Sequence, residues 1–185
     1  NDPKSQDHPV AFVSWNDAKN YCAWAGRRLP TEAEWEKAAI WDPISNKHRL
    51  YPWGNEFNCK MGNYDDEILV DASLMPDTSP NCDGFARSSP VGSFPEGASP
   101  YSALDMGGNV WEWCNDWYHP EYYRTSPSIN PKGPETSTGT RVIKGASLFA
   151  PYAYKMRCAV RIFGKTEDRN KSIGFRCVKD HKSET

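Results

Sequence analysis

The chain has 185 residues, a formal net charge of −2 and an isoelectric point near 6.1. Without a basic block it lacks the electrostatic footprint of a nucleic-acid partner, and no apolar run is long enough to span a membrane. Only 38% of residues are hydrophobic, but eight Trp, nine Tyr and seven Phe let one loop-rich domain close around a core.

In chain order, residues 1–8 are expected to be a flexible N-terminal segment, residues 9–179 a single folded domain and residues 180–185 a tail. Ala11-Phe-Val-Ser-Trp15 alternates like a short strand and leads into a predicted helix over Asn16–Ala25. Ser14 or Asn16 can cap that helix and Gly26 stops it. Thr31 and Glu34 form a capping-box sequence for a second helix reaching Ile40, with Trp35, Ala38 and Ala39 facing inward. From Trp41 to Pro100 clusters of Asn, Asp, Gly, Pro and Ser predict mostly turns. So long a coil needs bracing from metal ions, disulfides or both. Strands are predicted at Val110–Trp113, Arg141–Ala146, Arg157–Phe163 and Gly174–Lys179.

Six cysteines favour an oxidising setting, extracellular or periplasmic, and allow 15 pairings. No Cys-x-x-Cys or close Cys/His pair marks a zinc site. His8, His48 and His119 are scattered, which favours surface or packing roles over a shared metal.

Several motifs occur in an ordered series: His8-Pro-Val through Tyr21-Cys22, Arg28-Leu-Pro-Thr-Glu-Ala-Glu-Trp-Glu36, Tyr51-Pro-Trp-Gly54, Gly107-Gly-Asn-Val-Trp-Glu-Trp113, Asn130-Pro-Lys-Gly-Pro134, Arg141-Val-Ile-Lys-Gly145 and Ile173-Gly-Phe-Arg-Cys177. Over about Pro9 to Lys179 the chain resembles the formylglycine-generating enzyme family, the sulfatase-modifying factors. The resemblance implies an α+β, C-type-lectin-like fold, coil-rich, with two main helices and short antiparallel strands. Family domains carry some tens of residues ahead of the segment matching His8, so a missing N-terminal segment or a protein partner is expected to complete the fold.

The resemblance also implies sites. Asn63 and Asp83 side chains with the Tyr64 and Phe85 carbonyls match a calcium site; turn chemistry is the simpler reading of the same residues. Asp105, Gly108, Val110 and Glu112 match a second calcium site, with Asp105 where the family usually has Asn; the simpler reading is a glycine-rich turn into a strand. Cys22 and Cys177 match a family disulfide. Cys158 matches a cysteine whose family partner position holds Ala39, which leaves Cys114 as its candidate partner. Cys59 and Cys82 bracket the first calcium site. Free buried cysteine is the alternative for the last two pairs.

Family members that oxidise a sulfatase cysteine carry two thiols that bind copper. The matching positions here hold Ala150 and Ala153, in a segment two residues shorter, so copper is not expected. Trp111 and Ser147 match residues near the family's cleft and are expected to line a pocket. Tyr152 and Tyr154 read as packing aromatics, and Trp117–Tyr123 as either a recognition surface or a packed loop. The reading favoured is a non-catalytic, calcium-braced binding or structural module, alone or as a subunit of a larger assembly. The alternative is a divergent metal-dependent oxidoreductase.

Overall fold

The computed structural model describes residues 6–64, 82–149 and 153–180. Helix α1, Trp15–Trp24, starts where Ser14 and Asp17 exchange bonds: the Ser14 hydroxyl accepts the Asp17 N–H at 3.2 Å and the Asp17 carboxylate accepts the Ser14 N–H at 2.9 Å. Such a cap contributes about 1 kcal/mol. The chain leaves α1 through Gly26 at φ +66°, a conformation glycine adopts without steric cost. The helix buries Trp15, Ala18 and Cys22.

Helix α2, Glu32–Ile40, repeats the device with Thr31 and Glu34, and the Arg28 guanidinium grips both Glu34 oxygens at 2.7 Å. It buries Trp35, Ala39 and Ile40, with Ala38 packed at the edge of the same cluster. Two-residue strands β1 (Trp41–Asp42) and β2 (Lys47–His48) then form a hairpin.

The main sheet runs β5-β4-β3-β6, with β3 at Trp111–Trp117, β4 at Arg141–Lys144, β5 at Ile162–Gly164 and β6 at Ile173–Gly174. A short helix α3, Tyr122–Thr125, lies between β3 and β4. Strand β3 is antiparallel to β4, and β4 to β5, but β3 pairs in parallel with β6, so the sheet is mixed. Trp111–Cys114 and Asp116 of β3 are buried, and the α1 segment is tied to the strand: Trp15 Nε1 donates to the Cys114 carbonyl at 2.9 Å, and Trp113 Nε1 to that of Val13 at 3.1 Å. The Arg141 guanidinium lies between Trp15 and Trp117, 3.8 and 3.3 Å from their ring centres.

The α+β expectation holds, with local corrections. Ala11–Trp15 is no strand: Phe12 sits at φ 61°, which breaks the pleat, and Ser14 already serves as the cap. β3 runs on to Trp117, past the predicted end. β4 stops at Lys144, since Gly145 and Ala146 turn to φ 102° and 67°. The predicted Arg157–Phe163 strand begins only at Ile162, because the Val160 N–H bonds back to the Arg157 carbonyl in a turn. Beyond β6, the predicted Gly174–Lys179 strand survives only as a single bridge between Val178 and Arg28.

Two disulfides are formed. Cys22–Cys177 joins α1 to the C-terminal segment across 155 residues, and Cys59–Cys82 closes 23 residues of the coil. The expected Cys114–Cys158 bond is absent: both are free thiols. They pack as small hydrophobes in one cluster with Trp35, Met106 and Val142, and the Cys158 sulfur points at the Met106 carbonyl, 3.9 Å away. No described helix is long and apolar enough to cross a membrane.

Candidate functional site

The segments carrying the predicted ligands of the first cation site lie side by side. Asn63 and Asp83 are 1% and 7% exposed, and the Cys59–Cys82 bond holds the two chain segments together. The Asp83 carboxylate accepts the Tyr64 N–H at 2.9 Å and the Phe85 N–H at 2.8 Å. The Asn63 amide donates to the Arg87 carbonyl at 2.7 Å, which aims Oδ1 the other way. That oxygen is buried with no hydrogen-bond partner. A buried amide oxygen left unpaired costs about 1–3 kcal/mol, and a hard cation is one partner that would satisfy it. The chemistry of this donor set suits calcium better than a soft metal.

The second set also gathers, but differently. Asp105, Gly108, Val110 and Glu112 line one cavity of about 340 Å³ with His8 and Arg176. Gly108 is required here, because a Cβ would lie 2.4 Å from the Asn63 carbonyl. The Asn109 N–H bonds that same carbonyl at 2.7 Å, so the two loops abut. The Arg176 guanidinium reaches Glu112 through Nε at 2.6 Å and Nη2 at 2.7 Å, and Nη2 also donates to the carbonyls of Leu104 and Asp105. Trp35 Nε1 adds a third bond to Glu112 at 2.7 Å. Of roughly four lone-pair positions on a carboxylate, three are taken. Asp105 turns to the Gly92 N–H at 2.7 Å, and burial raises its pKa, with the Glu112 charge adding to the effect. These residues fit a second cation poorly, since a guanidinium already occupies Glu112.

Trp111 and Ser147, expected to line a pocket, are 9% and 1% exposed and line none of the cavities formed by the described residues alone. The Ser147 hydroxyl instead accepts the Phe149 N–H at 3.3 Å, and the Leu148 N–H bonds the Asn109 carbonyl at 3.0 Å. The open cleft on this face, about 460 Å³, is lined by Val110, Leu148, Phe149 and their neighbours. Ala150 and Tyr152 lie outside the described residues, and Ala153 opens a 3-10 turn, Ala153–Met156. The histidines stay apart: His8 bonds Ser88 at 2.9 Å, His48 packs edge-on against Trp41, and His119 caps the Glu121 N–H. In the Trp117–Tyr123 stretch, Tyr118 packs on Phe163 and Arg161, while His119, Pro120, Glu121 and Tyr123 are exposed.

A model of the sulfatase-modifying factor enzyme 1-like domain matches residues 1–181. The chain belongs to that family. It is 41% identical over 177 residues to the formylglycine-generating enzyme of Bos taurus, covering 95% of this chain and 45% of that protein. It is 36% identical over 174 residues to the inactive C-alpha-formylglycine-generating enzyme 2 of Mus musculus, covering 92% and 48%. Among solved structures, PvdO from Pseudomonas aeruginosa superposes with a TM-score of 0.70 at 28% identity, covering 91% of this chain and 60% of that one. The chain spans about half the length of the curated relatives it matches.

Sequence reasoning missed the charges that hold this family domain together. Arg176 lies inside the Gly-Phe-Arg-Cys motif, yet nothing local announces Glu112, 64 residues away, as its partner. Lys144 is fully buried, its Nζ 2.7 Å from Glu36 and 3.8 Å from Glu32, and Arg161 closes on Glu32 at 2.5 Å. Nothing local in Arg141-Val-Ile-Lys144 marks the lysine as buried.

Proposed function

We propose that this chain is a non-catalytic binding or structural module of the sulfatase-modifying factor family, braced by calcium at Asn63, Tyr64, Asp83 and Phe85. The reading rests on the resemblance, which matches Ala150 and Ala153 to the positions where oxidising members hold copper-binding thiols. Alanine supplies neither a soft ligand nor a nucleophile. The remaining free thiols are no substitute. Cys114 and Cys158 are 0% and 1% exposed, and burial pushes both thiols well above the ordinary range, so neither presents a thiolate. A relative that is itself named inactive supports the same reading.

Calcium at the first site rests on the orphaned Asn63 oxygen. The second set, with Arg176 on Glu112, is assigned to a guanidinium in place of a second ion. The two disulfides support an oxidising compartment. A protein partner, or further chain completing the domain, is part of this proposal; the chain spans 45% of the Bos taurus relative.

A second reading, a divergent metal-dependent oxidoreductase, is favoured by the higher identity to formylglycine-generating enzymes than to the inactive relative. One assay separates them. The protein is incubated with a peptide bearing the sulfatase cysteine motif, copper, a thiol reductant and oxygen. No aldehyde above the protein-free control is expected by mass spectrometry; its formation would establish the second reading.

A further inference from the structure

The cleft beside Leu148 and Phe149 has a chemistry that the cation loops do not explain. Its floor is apolar: Val110 is 6% exposed, and Leu148 and Phe149 form one wall. Its rim carries Arg87 and Lys171, and no lining residue is acidic. Six other arginines of the described chain, at 28, 49, 124, 161, 169 and 176, each hold a carboxylate. Among the described residues Arg87 and Lys171 enter no such pair, as Arg27, Arg141 and Arg157 do not, but only Arg87 and Lys171 share this cleft. In a chain of net charge −2, two unpaired cations on one apolar cleft are a local excess of positive charge.

The surroundings hold both in place. The Arg87 carbonyl accepts the Asn63 amide at 2.7 Å, and its neighbour Ser88 bonds His8 at 2.9 Å, so the rim is anchored to two other segments. Lys171 Nζ rests over the Phe149 ring, 4.4 Å from its centre, which brings the ammonium to the aromatic wall. A volume of about 460 Å³ is the size of a small-molecule site.

We propose that this cleft binds a small organic anion with an apolar body, the carboxylate meeting Arg87 and Lys171 and the body lying on Val110, Leu148 and Phe149. The inference deepens the binding-module reading and rests on it. A guanidinium can take a carboxylate through two parallel N–H bonds, while the lysine adds a point charge. The apolar floor then contributes by removing the ligand's hydrocarbon surface from water.

The test is a titration of the whole chain, followed by amide chemical shifts, with three probes of one shape: 4-phenylbutyrate, 4-phenylbutanamide and 4-phenylbutylamine. At low ionic strength the carboxylate should bind about fivefold more tightly than the neutral amide, and the amine most weakly. Raising salt should shrink that gap, because both rim cations are exposed. The pair Arg87→Gln and Lys171→Gln should erase it; Arg87→Lys with Lys171→Arg should keep it. Both side chains are at the surface, so the variants should melt with the parent. Equal binding of the carboxylate and amide, no saturation with any probe, or a gap that survives the double Gln variant would overturn the site. Aldehyde in the sulfatase-peptide assay would overturn the non-catalytic reading while leaving the titration result standing.

Discussion

The loop of Asn63 and Asp83 and the loop of Asp105 and Glu112 touch through one backbone hydrogen bond, yet they settle their buried oxygens by different means. In the first, Asp83 accepts backbone N–H groups while the Asn63 amide oxygen is left without a donor. In the second, Glu112 is covered by an arginine and a tryptophan. The resemblance led both sets to be expected as calcium ligands. What separates them is the nearby donor that each buried oxygen finds, and that donor comes from a distant part of the chain. Arg176 arrives with β6 and the Cys22–Cys177 bond; among the described residues nothing comparable reaches the Asn63 oxygen. Ligand spacing names the oxygens that can gather, and tertiary partners decide which of them still need a cation.

The sharpest way to break the comparison is to remove the guanidinium. Arg176→Gln leaves the Glu112 carboxylate, 7% exposed in its side chain, with only the tryptophan and a weak amide nearby. Breaking a buried pair this way costs about 3 kcal/mol, the low end of the usual range, because Arg176 is partly solvated. Thermal or denaturant unfolding measures it. The contrast deepens if Asp83→Ala with Arg176→Gln, which lacks the first site, gains a calcium response that Asp83→Ala alone does not show. An unchanged midpoint for Arg176→Gln would mean that the guanidinium does not hold that loop.

Calcium itself gives the next largest effect. Binding to the folded state alone stabilises by about 2.7 kcal/mol at a free ion concentration a hundredfold above the dissociation constant. The expected result is a rise in the wild-type midpoint with calcium and its loss on chelation. Asp83→Ala should remove most of that rise, whereas Asp105→Ala should leave it in place. If chelation moves nothing and no calcium copurifies, the Asn63 loop is a turn. If Asp105→Ala abolishes the response, the ion sits in the second loop and the contrast is inverted.

What the sequence announced and what it hid divide along the range of the interactions. Ser14 with Asp17 and Thr31 with Glu34 are three residues apart, so both capping boxes were legible, as were the helices they start. Cys22 and Cys177 were paired by resemblance, since spacing alone permits many bonds. Counting leftover cysteines paired Cys114 with Cys158 and failed, because hydrophobic packing can accept a thiol as readily as a methyl group. Trp111 and Ser147 were placed near the cleft without a signal for their depth. The parallel β3–β6 pairing, the buried Lys144 and the Arg176–Glu112 pair join residues far apart in the chain, and no local pattern records them.

An orphaned oxygen need not be a cation site, and Asp116 offers the control. Its Oδ2 accepts the Glu32 N–H at 2.8 Å at the start of α2, while Oδ1 is buried without a partner. No second oxygen ligand is assigned beside it, and Glu32 and Glu34 add negative charge. Burial, aided by those two carboxylates, raises its pKa to about 7. Here the missing partner is a proton. A carboxyl whose pKa is higher in the folded state than the ordinary 3.8 binds protons preferentially when folded, so its contribution to stability falls as pH rises. Between pH 6 and pH 8 the loss from such a group is about 1.4 kcal/mol. Ordinary carboxylates are already ionised in that window, and comparison with Asp116→Asn cancels the histidines. Wild type should therefore lose stability relative to Asp116→Asn from pH 6 to pH 8, without any dependence on calcium. Parallel pH profiles for the two proteins would remove the proton from Asp116, and a calcium-dependent gap between them would make it a third cation ligand, erasing the distinction from Asn63.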